Sequence, residues 1–341
     1  MAFNVVVIHP SMGKDGRWID DFVDADSGYI FTKVAAGAEL VSWHQRGSFT
    51  GLRQWKQHFA HAYRALAEKP DVIIANFPQL IFAVCFLKMC LFIRCKVVGW
   101  SFNVGAMRKR WFVPVLGMVF KNASVLICHS NAEIDTYERI FGLPTGLVRF
   151  VPLQRGRLSE KATPEAENLI IAMGSAERDY QTLFAAVAGM KWKVIVVAKE
   201  DAVLGLDIPE NVDVRSGLSM PECLALASEA TVMALPIEND ETASGQVTFL
   251  SAMAMKLPLV VTRCPGTEDY LNDGEDALLV PHNDIAVLRK SLAQLMDDPD
   301  LRRSLSDAAY QKWNASFSDE AAGRNLKMVL DDLTRSPRDA T

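Results

Sequence analysis

The chain lacks paired cysteines. Its six, Cys85, Cys90, Cys95, Cys128, Cys223 and Cys264, form no C-x-x-C pair and have no histidines at zinc-finger spacing. That removes zinc ribbons, fingers and thioredoxin-type redox motifs. Most sit in apolar runs, where a free thiol packs as a small hydrophobe, and reduced thiols fit a cytosolic protein. A leader is not expected either: MAFNVVVIHP has no basic segment and no long apolar core, and it reads as a first strand. No apolar run suits a bilayer span. The most apolar window, residues 80–93, is short and interrupted by Lys88. A buried helix is expected there, with an interfacial helix as the alternative. No G-x-G-x-x-G follows the first strand, which argues against a nicotinamide dehydrogenase.

What the chain has is apolar bulk. It runs to 341 residues, 50% hydrophobic and 23% charged, enough for two globular domains with large cores. The net charge of −5 is unevenly spread: residues 1–150 carry 17 Lys+Arg against 11 Asp+Glu, and residues 151–341 carry 19 against 30. A basic first half points to an acidic contact such as an anionic membrane surface, with independent drift of two domains as the plain alternative. The acidic total and the lack of a recognised nucleic-acid module argue against nucleic acid as a partner.

Strand and helix patterns alternate along the whole length. Strands are expected over 5–9, 71–75, 96–100 and 125–128, with helices over 52–69, 80–92, 110–121 and 131–141, and residues 149–152 end this half. Residues 153–167 are polar, contain Gly and Pro, and read as a linker. The alternation restarts with strands over 169–173, 193–198, 212–215, 231–235 and 259–262. Helices are expected over 180–189, 221–230, 247–256, 285–296, 301–313 and 319–333. Apolar, β-branched strands alternating with helices predict parallel sheets wrapped by helices, with ligands outside the carboxyl ends of the strands.

Three segments of the second half carry chemistry. Between the strand ending near Pro236 and the helix from Val247, a polar loop closes on Ser244-Gly245-Gln246. A glycine loop that opens a helix presents backbone N–H groups without intrahelical partners, and the helix dipole adds positive charge there. This is an anion site, and the biological anion it points to is a phosphate or diphosphate; an ordinary βα turn is the plain alternative. The second segment, Met173-Gly174-Ser175-Ala176-Glu177-Arg178, pairs a glycine that permits close backbone approach with a permanent cation whose donor fork suits phosphate. Its alternative is a surface pair of Arg178 with Asp179 or Glu177, of little energetic weight. The third, from Cys264 to Pro281, reads as a turn, a short helical segment and a turn leading into a short strand.

In order and spacing these segments resemble the C-terminal domain of GT-B glycosyltransferases, most closely the large family 4 type. The matching residues are Gly174 with Arg178, then Ser251-Ala252-Met253-Ala254-Met255-Lys256-Leu257-Pro258-Leu259-Val260, then the segment from Pro265 to Gly274. The first half matches through its βα rhythm and through Ser130 followed by Glu133. The resemblance implies an α/β GT-B fold: two Rossmann-like domains facing each other across a cleft. The acceptor domain is expected over 1–152, the linker over 153–167, the nucleotide-sugar domain over 168–316, and a helix over 317–341 packing back toward the first domain. The chain departs from the Glu-x7-Glu pattern, because Ala243 and Ser251 stand where the family has its two glutamates. The second glutamate usually binds the donor ribose. Ser251 can hydrogen-bond a hydroxyl without the strength of a charged acceptor, and Glu241 can supply a carboxylate by a loop shift.

The implied activity is transfer of a sugar from a nucleotide-sugar donor, UDP- or GDP-linked, to an acceptor hydroxyl, with retention. No cofactor and no metal are expected. Asp24-Ala25-Asp26 has the form of the Asp-x-Asp metal motif of the other glycosyltransferase fold but not its surroundings, and His44, His58, His61, His129 and His282 form no evident ligand set. The donor contacts expected are Gly174, Arg178 and Glu241, the run Ser244, Gly245 and Gln246, and then Thr248 and Ser251. Arg178 is also a catalytic candidate, with Asp15 as a general base and Asn103 as a group that orients the acceptor or caps a helix. Arg108-Lys109-Arg110-Trp111-Phe112 joins cations to aromatics, as suits phospholipid head groups or a polyprenyl diphosphate. The acceptor is expected to be a saccharide or lipid-linked precursor, and the protein cytoplasmic or peripheral on the inner face of the membrane. The rival readings are a nucleotide-sugar epimerase of the same fold and a catalytically weak nucleotide-sugar-binding scaffold.

Overall fold

The computed structural model describes residues 3–8, 28–33, 52–104, 112–158, 168–238 and 243–335. The chain divides into two compact units, Met1–Pro152 with Ala322–Thr341, and Leu153–Ala321.

In the first unit the elements run β1 (Phe3–Ile8), β2 (Tyr29–Lys33), α1 (Leu52–Ala67), β3 (Val72–Asn76), α2 (Pro78–Cys90), β4 (Lys96–Trp100), α3 (Val113–Phe120), β5 (Val125–Cys128), α4 (Ala132–Phe141) and β6 (Val148–Phe150). The strands form one parallel sheet in the order β2-β1-β3-β4-β5-β6. Their β-branched runs are buried on both faces, as parallel strands require. Val6, Ile73, Val97 and Leu126 join the core that contains α1–α4 residues such as Ala62, Ile81, Val119 and Tyr137. Val5, Ile74, Val98 and Ile127 face the other way, onto Ala322, Leu326, Val329 and Leu330. Those four lie on α11 (Asp319–Arg335), a helix with an apolar stripe and a charged opposite side. Tyr29 anchors it, its hydroxyl donating to Asp331 Oδ1 at 2.8 Å. Sequence reading places no strand at β2, and α2 begins at Pro78, where proline tolerates the first helical position.

In the second unit the elements are β7 (Leu169–Met173), α5 (Tyr180–Val187), β8 (Lys193–Val197), β9 (Val212–Arg215), α6 (Met220–Glu229), β10 (Val232–Leu235), α7 (Gln246–Ala254), β11 (Leu259–Thr262), α8 (Pro265–Glu268), β12 (Leu278–Val280), α9 (Ile285–Asp297) and α10 (Pro299–Ser316). The parallel order is β12-β11-β10-β7-β8-β9, so the strand order reverses between β7 and β10. The start of the expected linker is held within this unit. Leu153 N donates to the Tyr270 hydroxyl at 2.9 Å, and Arg155 exchanges backbone bonds with Phe317 and the buried Trp313 ring. Residues 159–167 lie outside the described residues.

Candidate functional site

Where β7 and β10 part, the loops leaving their carboxyl ends turn to opposite faces of the sheet and leave a crevice. Gly174 ends β7 with φ +118, and a Cβ built on it would stand 2.8 Å from Arg178 Nε and Nη2. The guanidinium therefore lies against the glycine backbone, a contact that any side chain at 174 would block. Arg178 Nε donates to Met173 O at 3.2 Å, and Nη1 to Ala176 O at 2.8 Å and to Ser244 Oγ at 3.2 Å. The backbone joins the same two loops. Arg178 bridges Ile237, Glu238 N donates to Glu177 O at 3.1 Å, and Asp179 N to Pro236 O at 3.3 Å. Asp179 then caps α5 through Thr182 N at 2.9 Å.

Burial lowers the Arg178 pKa from its ordinary value, opposed by Tyr180, Glu177 and Cys264; so basic a group stays charged at neutral pH. Arg215 and Arg263 pair with carboxylates. Among the described residues no carboxylate stands within ion-pair distance of Arg178, whose hydrogen-bond partners are two carbonyls and one hydroxyl. A partly buried cation with only neutral acceptors favours an incoming anion.

The second source of positive potential is the start of α7. Gly245 is its N-cap, left-handed at φ +87 and without a capping side chain. Thr248 N and Phe249 N bond Gly245 O at 2.9 and 3.1 Å, so the preceding amides of Gln246 and Val247 precede the first intrahelical bond. Leu235 and Ile237 lie 3.0 and 3.1 Å from a built Gly245 Cβ, which seats the helix start on the end of β10. From the third segment, Gly266 approaches so closely that its Cβ would meet Ala243 Cα at 2.7 Å and Ser244 N at 2.9 Å. Thr262 Oγ1 accepts from Ile237 N at 3.0 Å. The three segments thus converge: Arg178, Ser244, Gly245 and Gln246 at the crevice, and Gly266 behind them.

Other expected residues fall elsewhere. Thr248 is half-buried in the first turn of α7. Ser251 is buried, and its hydroxyl donates to Val247 O at 2.6 Å, which leaves only its lone pairs for a ligand. Asn103 belongs to the first unit, exposed just beyond β4, with its backbone N–H on Ser101 O at 2.9 Å. Glu241, Asp15, Asp24, Asp26 and residues 108–111 lie outside the described residues; Phe112 is half-buried.

Sequence reading misses one pair, at the carboxyl edge of the first sheet. Ser101, left-handed at φ +55, follows β4. Its Oγ lies 2.9 Å from His129 Nε2, and His129 Nδ1 lies 2.7 Å from Val151 O. The carbonyl can only accept, so Nδ1 carries the proton, Nε2 accepts, and Ser101 donates. Burial lowers the His129 pKa to about 4, so the ring is neutral at pH 7. The available signal is position, since both residues directly follow β-branched strands of a parallel sheet.

Residues 153–312 match the family profile described as Glycosyl transferases group 1. Over 218 residues the chain is 23% identical to the lipopolysaccharide core biosynthesis glycosyltransferase LpsE of Rhizobium meliloti (strain 1021), covering 59% of this chain and 62% of that one. It spans about three fifths of the length of the curated relatives it matches. In fold it is similar to sucrose-phosphate synthase (tll1590) from Thermosynechococcus elongatus, with a TM-score of 0.71 at 17% identity, over 97% of this chain and 99% of that one. It is also similar to Anabaena Alr3699/HepE in complex with UDP and glucose, with a TM-score of 0.71 at 15% identity, over 97% of this chain and all (100%) of that one. The fold is GT-B: two α/β units, each built on a parallel sheet.

Proposed function

We propose that this chain, whose residues 153–312 match group 1 glycosyltransferases, moves a sugar from a UDP- or GDP-sugar to an acceptor hydroxyl, with retention. The observation that carries the reading is the seat of Arg178, whose hydrogen-bond acceptors among the described residues are all neutral, beside the uncapped start of α7. When the glycosidic bond to the diphosphate breaks, negative charge grows on the leaving oxygen. Donors fixed in place before the reaction lower that barrier without reorganising. Arg178 and the amides of Ser244, Gly245 and Gln246 are such donors, so the reaction is proposed to need no metal. Gly174 lets the guanidinium reach its place, and Thr248, Ser251 and Glu241 are assigned to the nucleoside end.

The first unit is assigned the acceptor, with Asp15 and Asn103 near it. The Ser101 proton is directed to His129, leaving its lone pairs to accept from a sugar hydroxyl. A lipid-linked or polysaccharide-precursor acceptor fits the basic first half, with a peripheral membrane contact at residues 108–112 on the cytoplasmic face. The second reading is nucleotide-sugar binding with weak or no transfer, favoured by Ala243 and by a Ser251 hydroxyl already bonded within its helix. A panel of UDP-, GDP- and other nucleotide-sugars, scored by thermal shift and donor hydrolysis, separates them. Stabilisation with hydrolysis supports transfer, stabilisation alone supports the second reading, and no response to any nucleotide overturns both.

A further inference from the structure

The end of α2 departs from the pattern of the helix. Residues from Pro78 to Cys85 are almost all buried, whereas Leu91 is 49% and Phe92 is 90% exposed. The turn is well formed, with Leu91 N on Leu87 O at 2.9 Å and Ile93 N on Lys88 O at 3.1 Å. This is the helix-ending motif in which the left-handed position usually belongs to glycine. Phe92 occupies it at φ +53, a backbone state that disfavours side chains, and its ring buries nothing. Neither the turn nor the core accounts for a phenylalanine there.

Beside it stands α3, on which Val115 is 52% and Met118 is 54% exposed, three residues apart on one face. Asn122 binds the two helix ends together. Its Nδ2 contacts Met118 O at 3.0 Å and Met89 Sδ at 3.7 Å, and its carbonyl accepts from Lys88 Nζ at 3.0 Å. Leu91, Phe92, Val115 and Met118 are thus exposed apolar side chains on two helices that Asn122 joins, and Lys88, Arg94 and Lys121 lie among them in the chain. The surrounding sequence has one sign of charge only: residues 72–132 contain seven Lys+Arg and no Asp or Glu. Among the described residues no helix is long and apolar enough to cross a membrane.

We propose that the joined ends of α2 and α3 dock on an anionic phospholipid surface, with Phe92 and Leu91 entering the head-group boundary and Arg94 and Lys121 meeting lipid phosphates. Exposed apolar side chains with Lys88, Arg94 and Lys121 close by in a stretch free of Asp and Glu match such a surface in both polarity and charge. The inference deepens the membrane contact proposed above by naming another surface for it, and it stands apart from the chemistry at Arg178.

The test is co-sedimentation of the full chain with phosphatidylcholine vesicles, pure or with phosphatidylglycerol. The chain is expected to bind the mixed vesicles, to release them in high salt, and to ignore pure phosphatidylcholine. Phe92→Asp is expected to weaken binding at least about tenfold with an unchanged melting temperature, because the side chain is exposed. Arg94→Glu with Lys121→Glu abolishes the preference for phosphatidylglycerol. Equal sedimentation with both vesicle types, or full binding by Phe92→Asp, overturns the proposal. Absence of vesicle binding together with a dimer that Phe92→Asp dissociates overturns it in favour of self-association. Nucleotide-sugar thermal shifts on the same proteins report on the transfer reading separately.

Discussion

At the crevice of the second sheet the groups that converge carry positive potential: a guanidinium held by neutral acceptors and the amides of a helix start. At the ends of β3, β4 and β5 in the first sheet stand Asn76, Ser101 and His129, and the histidine is held neutral by burial. Among the described residues both sheets are parallel and six-stranded, so topology does not set this contrast. A few residues at or just past the strand ends do: one edge gathers a cation and helix-start amides, the other neutral polar side chains.

Acid sharpens the comparison most. Burial lowers His129 to about 4, and His58, beside His61, to about 4 as well. A histidine lowered on folding costs nothing above its unfolded pKa. Stability falls as pH drops from about 6.5 toward 4, because the unfolded chain takes up the proton first. For His129 that amounts to roughly 3 kcal/mol by pH 4. Hydrogen exchange is expected to show the first unit loosening across that range ahead of the second; equal loosening breaks the contrast. Next, Arg178→Ala is expected to raise donor KM or lower kcat at least about tenfold, since a charge-assisted contact contributes about 1.5–3 kcal/mol. Gly174→Ala is expected to match it, because the new methyl displaces the guanidinium, and the double variant adds little. Unchanged kinetics in either removes the cation from the site. Gly266→Ala forces a methyl onto the Ala243 backbone, with an expected loss of about 1–3 kcal/mol in calorimetry and weaker nucleotide binding. Ser251→Ala is the smallest: its hydroxyl proton already serves Val247 O, so donor KM is expected to change by no more than about fivefold, under 1 kcal/mol.

The strands were legible because parallel strands buried on both faces read as β-branched runs, as in Val72–Asn76 and Leu169–Met173. β2 was not, because its five residues take their strand identity from pairing with β1. The 80–93 window left a buried helix and an interfacial one open; α2 is buried at its start and exposed at its end. At the site, Gly174 and Arg178 stand close enough in sequence to be read together. The Ser244 contact lies 66 positions from Arg178, and the need for glycine at 266 exists only once Ala243 packs against it. Ser101 and His129 meet across adjacent strands, and no local spacing encodes that.

The first unit draws its last core residues from α11, whose Ala322, Leu326, Val329 and Leu330 cover one face of its sheet. During synthesis those residues leave the ribosome after the whole of Leu153–Ala321. Vectorial folding would normally finish the N-terminal domain first, but here β1, β3, β4 and β5 wait with an uncovered apolar face while the second unit is made. The second unit has the greater opportunity to fold during translation, and the nascent first unit is where a chaperone has most to shield.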